Sequence, residues 1–293
     1  MIEMQVDVDG ATLAASRSPG DRLMLIALHG SQPGTRDGPL YRHLHEVLPE
    51  VGIGVVTFDR RGEGESSGTP SLGNFEQQAR DCMAIMDSLE QAHLGLWGFS
   101  QGGWIAPLVA AQRPDVACIV TVGASGVTPF EQMRFGVARH LTDAGYDAAV
   151  VRRADLLWVT SMRALRGDRD SLDAVGGLLK EASDEAWWPL VFLPDELPDA
   201  ERRADLLREM EHDPLPSFRA VACPVLAIYG EHDEWVPVEP SVRAWREAQP
   251  LGATTVVLAG GHHDPLDDDA SVAAAYEQQL VPWLSAVGAS AKR

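Results

Sequence analysis

The chain has 293 residues, 45% hydrophobic and 23% charged, enough apolar side chain for one large domain or a domain carrying an insertion and too much for a disordered polymer. A formal net charge of −19, from 43 acidic against 24 basic residues, repels phosphate backbones and excludes nucleic acid as a partner. No apolar stretch is long enough to span a membrane, and the opening MIEMQVDVDGATL is acidic where a signal peptide needs a basic start, so a cytoplasmic protein with no membrane partner is expected.

Met4–Val8 and Thr12–Ala15 predict an antiparallel hairpin turning at Asp9-Gly10. Leu23–Leu28 is a continuous apolar run, hence a buried central strand, and it leads into His29-Gly30-Ser31. Leu40–Val51 reads as a helix and Gly54–Phe58 as a second buried strand ending at Asp59. Ala79, Cys82, Ile85, Met86 and Leu89 recur at helical spacing within Phe75–Gln91. Leu94–Phe99 is a strand that stops at Ser100, Gly102–Gln112 continues as an apolar helix, and Ala117–Val122 is another strand.

After Gly126 the pattern turns helical, with candidates Pro129–Ala144, Ala148–Leu165, Ser171–Ser183 and Asp199–Glu211. Strands return at Val225–Tyr229 and Thr254–Leu258, followed by a helix around Ser271–Ala286 and a frayed tail, Gly288–Arg293. The alternation of strand and helix predicts an α/β core, residues 1–126 and 221–293, with a mostly parallel sheet covered on both faces. Residues 127–220 form an inserted helical cap. Cys82, Cys118 and Cys223, odd in number and far apart, read as free thiols.

Four segments carry chemistry. Gly98-Phe99-Ser100-Gln101-Gly102 matches G-x-S-x-G between a strand and a helix. A nucleophile there sits on a tight turn in which only glycines leave room for the backbone, and the N–H of Gln101 faces the developing oxyanion. His29-Gly30-Ser31 ends the first buried strand, and the N–H of Ser31 is the second oxyanion donor expected. In Tyr229-Gly230-Glu231-His232-Asp233, Asp233 is the acid that would orient an imidazole, with Glu231 and Glu234 as competitors. Gly260-Gly261-His262-His263 follows the last strand and supplies the general base. The Gly-x-x-His count favours His263, whereas Gly-Gly-His and the spacing to Val272 favour His262; His263 is preferred, and the choice stays open.

Other classes fit less well. Gly62-Glu63-Gly64-Glu65-Ser66-Ser67-Gly68 follows a strand, but its third glycine is one position late for a dinucleotide loop and its carboxylates would face a pyrophosphate. Adjacent His262 and His263, with Asp264 and Asp267–Asp269, lack metal-ligand spacing. Neither a metal nor another cofactor is expected. A binding protein that has lost catalysis is the rival of a different class, and every chemical role being filled argues against it.

The sequence resembles the α/β-hydrolase superfamily across nearly its whole length. The resemblance is carried by Ala27-Leu28-His29-Gly30-Ser31, by Asp59-Arg60-Arg61-Gly62-Glu63-Gly64-Glu65-Ser66, by Gly98 to Trp104, and by Tyr229 to Pro237. It is similar to the esterase, acyl-transferase-like and serine-peptidase-like branches, and Gly-Phe-Ser-Gln-Gly-Gly also resembles lysophospholipase- and acyl-thioesterase-type carboxylesterases, which generally lack a large cap. The order Ser100, Asp233, His263 is the serine–acid–histidine order of that fold. The resemblance implies an inserted-cap α/β-hydrolase fold and a serine hydrolase acting on a small-molecule acyl substrate. An ester is expected first, with amide, peptide, thioester or C–C bond substrates as alternatives. A serine at position 100, rather than the aspartate of dehalogenases and epoxide hydrolases, suits acyl transfer. Trp158, Trp187, Trp188 and Phe192 are candidates to line an acyl pocket or to pack the cap, as are Met133, Met162 and Met210. Arg152, Arg153, Arg202 and Arg203 could meet an anionic substrate or lie on solvated helix faces.

Overall fold

The computed structural model describes residues 1–70, 73–90, 93–249, 252–267 and 269–291. Eight strands form one sheet: β1 (Ile2–Val8), β2 (Ala11–Ser18), β3 (Leu23–Leu28), β4 (Ile53–Phe58), β5 (Leu94–Phe99), β6 (Val116–Val122), β7 (Val225–Gly230) and β8 (Thr254–Leu258). Their spatial order is β1-β2-β4-β3-β5-β6-β7-β8. β1 pairs antiparallel with β2, β2 antiparallel with β4, and every other neighbour is parallel.

Every residue of β3, β4 and β7 is buried, which is why these segments read as unbroken apolar runs. Helices α1 (Pro39–Val47), α2 (Phe75–Asp87), α3 (Gly102–Gln112), α8 (Leu215–Ala220), α9 (Val238–Ala248) and α10 (Ala274–Ala291) belong to the same unit. On one side Leu40, Tyr41 and Leu44 of α1 and Tyr276, Leu280 and Leu284 of α10 pack with Leu23, Leu25, Val55 and Trp97. There the Trp97 Nε1–H donates to the Tyr276 Oη over 2.8 Å, so the two polar atoms of this apolar layer satisfy each other.

The second unit comprises Val127–Asp213 and Glu234–Pro237, the first the rest of the chain. It contains α4 (Pro129–Asp143), α5 (Ala148–Leu165), α6 (Arg169–Ser183) and α7 (Ala200–Met210). Thr128, Asp147, Asp168 and Asp199 cap their N-termini, each accepting a backbone N–H of the first turn. Trp158, Met162, Val175, Leu179 and Trp187 fill its interior.

Several boundaries differ from the sequence reading. The helix expected over Leu40–Val51 stops at Val47, because Pro49 has no N–H to donate, and a 3₁₀ turn ends at left-handed Gly52, φ 81°. α2 ends at Asp87; Gln91 lies outside the described residues. α9 was not anticipated from the sequence, since it starts beside the Val236-Pro237 landmark. α10 begins at Ala274, after an antiparallel bridge between Leu266 and Val272, and runs through the tail expected to fray as far as Ala291. Lys292 and Arg293 lie outside the described residues. The three cysteines are free; burial pushes the Cys82 thiol up to about 12 and that of Cys223 to about 11. Among the described residues, no helix is long and apolar enough to cross a membrane.

Candidate active site

The C-terminal ends of five parallel strands gather the chemical groups. At the end of β5 the chain reverses into α3 within one residue, Ser100, whose φ is +49°. Such a conformation costs an L-residue roughly 1–2 kcal/mol and has to be held by its surroundings. Ser100 N–H donates to the Val122 carbonyl at 2.7 Å, and Gly103 N–H donates to the Ser100 carbonyl at 2.8 Å. The flanking glycines are obligatory: a Cβ on Gly98 would overlap the Gly102 carbonyl, and one on Gly102 would lie 2.5 Å from the Leu28 oxygen. Gln101 lies at the N-terminal edge of α3, where the first backbone N–H groups of a helix have no intrahelical acceptor. Its side chain turns elsewhere, accepting from Gln78 Nε2 at 3.2 Å.

Asp233 follows β7 and His263 follows β8. The His263 Nδ1 lies 2.9 and 3.1 Å from the two Asp233 oxygens, and the carboxylate is fully buried. The ring of His263 lies 5.2 Å from that of Phe99, next to Ser100 in the chain. It also lies against Gly123, where a Cβ would come within 3.0 Å of its Cε1. Gly123 follows Val122, the acceptor of the Ser100 N–H. The imidazole of His263 is thereby brought to the Ser100 turn.

His262 is exposed, and its ring faces His232 at 6.2 Å. Of the competing acids, Glu231 accepts the Gly260 N–H at 2.9 Å and so closes the end of β8, while Glu234 belongs to the helical unit. The loop of His263 is tied to that of Asp233 by His232 N–H donating to the Gly261 carbonyl at 2.8 Å.

The turn after β3 lies beside this site: a Cβ on Gly30 would come within 3.6 Å of the Ser100 Cβ. Ser31 is exposed, whereas His29 is buried between Tyr41 and Phe58, ring centroids 5.1 and 5.0 Å away. Burial, reinforced by the Arg60 cation, pushes the His29 pKa down to about 3, so this histidine stays neutral and serves packing.

The charged loop after β4 carries groups to which the sequence reading gave no role. Gly62, Gly64 and Gly68 all adopt positive φ, and a Cβ on Gly64 would overlap the Asp59 carboxylate. Gly64 makes room for a carboxylate, while Gly62 and Gly68 pack against Pro70 and Ala11. Asp59 accepts the N–H of Arg36 and of Glu65, both at 2.8 Å, and pairs with the Arg36 guanidinium. Arg61 is bonded through two nitrogens to Asp81 of α2, at 2.5 and 3.0 Å, and both residues are buried. The available signal was a charge-rich stretch directly after a wholly buried strand.

In the second unit, Trp158 and Trp187 belong to its apolar interior, and Trp158 Nε1–H donates to the Val191 carbonyl at 2.9 Å. Met162 and Met210 are buried with them. Phe192 is 45% exposed and makes an aromatic cluster with His140 and Trp235. Arg153 pairs with Glu185 and lies over the Trp187 ring.

The family model described as alpha/beta hydrolase fold matches residues 25–270. This chain belongs to that family. Among curated proteins, an uncharacterized 31.7 kDa protein in the traX-finO intergenic region of Escherichia coli is 26% identical over 205 residues, 66% of this chain and 67% of its own. The lysophosphatidylserine lipase ABHD12 of Danio rerio is 37% identical over 84 residues, 28% of this hydrolase-family chain and 22% of the lipase. Among solved structures, the proline iminopeptidase of Mycobacterium smegmatis superposes with a TM-score of 0.64 at 17% identity, over 99% of this chain and 100% of its own. A thermophilic esterase from Thermogutta terrifontis gives 0.62 at 20% identity, over 98% and 100%. At these identities the likeness speaks for the fold.

Proposed function

We propose that this α/β-hydrolase is a serine hydrolase that cleaves a carboxylic ester, or a related acyl bond, through Ser100, His263 and Asp233. The observation that carries the reading is the buried Asp233 carboxylate on His263 Nδ1 at 2.9 Å, with that ring against the turn that holds Ser100 at positive φ. Asp233 fixes the tautomer with the proton on Nδ1, leaving Nε2 as the base. Nε2 takes the Ser100 proton as Oγ bonds to the substrate carbonyl carbon, and the carbonyl π pair moves onto oxygen. The N–H groups of Ser31 and Gln101 receive that oxyanion, each contributing about 3–4 kcal/mol. Collapse expels the leaving alcohol, which takes the proton from His263. Water, deprotonated by the same Nε2, then hydrolyses the acyl-enzyme. The similarity to a lipase over 84 residues is in keeping with an ester as substrate.

A fluorophosphonate probe tests the nucleophile: covalent labelling mapped to Ser100, absent in Ser100→Ala, is the expected outcome. No labelling of the wild-type chain would favour a binding protein without catalysis. A panel of chromogenic esters, thioesters and aminoacyl amides of graded length then decides the bond cleaved, and a preference for amides would displace the ester reading.

A further inference from the structure

We propose that Arg60 is a positioning residue for the oxyanion site, aiming the Ser31 N–H by gripping the carbonyls on either side of it; the inference rests on the Ser100 reading above. Arg60 follows β4 and is 1% exposed. Its Nη2 donates to the Gly30 carbonyl and its Nη1 to the Ser31 carbonyl at 3.0 Å. A peptide unit is planar and trans, so its C=O and N–H point in opposite directions. Pulling the Gly30 oxygen toward Arg60 therefore drives the Ser31 N–H, in the same plane, away from it. That plane begins at Gly30, where a Cβ would meet the Phe99 ring at 2.9 Å and the Ser100 Cβ at 3.6 Å. Holding the Ser31 oxygen fixes the following plane too, so Ser31 cannot rotate as a crank between two free peptides.

The guanidinium is itself held. Nη1 also donates to Glu63 Oε1 at 2.8 Å, and the other oxygen of Glu63 accepts the Gly34 N–H at 2.9 Å. The Arg60 backbone N–H donates to the Gly34 carbonyl at 2.7 Å, closing a ring of bonds between the loops after β3 and β4. A planar fork with fixed donor directions suits two successive carbonyls; a lysine ammonium, a point donor on a flexible stem, does not. An arginine buried only to stabilise the loop would have no need to select the two carbonyls flanking an oxyanion donor.

The test uses the full chain with Arg60→Lys and Arg60→Met, assayed on the best chromogenic ester. The expected result is a fall in kcat of about 10²-fold with KM changed less than about threefold, because the N–H acts on the oxyanion more than on the ground-state carbonyl. Affinity for a trifluoromethyl ketone, whose adduct places an oxyanion on Ser31 N–H, should fall in parallel with kcat/KM. The acid limb of the pH profile should not move, since His263 and Asp233 are untouched. Glu63→Gln, which weakens the anchor of the Arg60 fork, should lower kcat in the same sense but by less than Arg60→Lys. If Arg60→Met fails to fold, Arg60→Lys decides. Full turnover in folded Arg60→Lys overturns the proposal, as does a loss of kcat with a shifted pH profile and unchanged ketone affinity. A wild-type chain that neither turns over nor labels at Ser100 would sink the underlying reading instead, so the two failures are separable.

Discussion

Around the sheet, Asp59, Arg60, Arg61 and Asp81 are only 1–7% exposed, and each is bonded to a backbone group or an opposite charge that fixes a loop. In the helical unit the ion pairs Arg134–Asp155, Arg153–Glu185 and Arg166–Glu211 leave both partners 37–50% exposed, and the cohesion comes from the Trp158, Leu179 and Trp187 cluster. Water can take over from an exposed partner that is lost, but not from a buried one. The contrast teaches that the loops bearing the site have their shape prescribed by polar groups, whereas the helices are held by volume and apolar area.

The sharpest way to break the comparison is at the turn of β5. Ser100→Ala should lower turnover by at least about 10⁴-fold with no change in melting temperature, measured by ester hydrolysis and circular dichroism. Asp233→Asn, which inverts the tautomer preference of His263, should cost about 10⁴ in kcat with little effect on KM. Asp81→Ala removes the counter-charge of the buried Arg61, leaving it the Val8 and Asp9 carbonyls, and should destabilise the chain by about 3 kcal/mol in urea unfolding. Glu185→Ala in the helical unit should fall within about 1 kcal/mol in the same assay. Loss of equal size in both variants would erase the distinction drawn between the units.

A further effect, between those of the two ion-pair variants in size, is set by acidity. Burial, and then the Arg60 cation, holds the His29 pKa down to about 3 in the folded chain, well below the ordinary imidazole value of 6.5. Between those values the unfolded chain binds more protons than the native one, so stability is present at neutral pH and is lost as pH falls from about 6.5 toward 3. One such group contributes at most about 1.4 kcal/mol per pH unit. Unfolding midpoints taken at pH 7 and pH 5 should draw closer together in His29→Asn.

Much of this was legible because burial on both faces writes itself into composition. β3, β4 and β5 are continuous apolar runs, and each terminates in the residues that matter: His29-Gly30-Ser31, Asp59 and Ser100. The choice between His262 and His263 was not legible, since adjacent residues in a loop point in different directions and only the folded chain decides which ring meets Asp233. Arg60 and Arg61 carry part of the resemblance but drew no role from the sequence, for a related reason. Charge suggests solvent, and nothing in a local window indicates that the carbonyls of Gly30 and Ser31 for Arg60, and of Val8 and Asp9 for Arg61, fill the space that water would occupy. The tryptophans at 158 and 187 were open to two readings because a large indole serves a pocket and an interior equally well.

The chain passes between its two units four times, since Val127–Asp213 and Glu234–Pro237 belong to one and the stretches around them to the other. Exchange of the helical unit between relatives by a single cut-and-paste event would therefore import only the longer stretch and strand the four residues that follow Asp233. A recombinant library that exchanges this unit has to vary both stretches jointly. The shorter one, bearing Trp235, begins directly after Asp233 in the chain, so its two ends fall inside a single loop of the other unit.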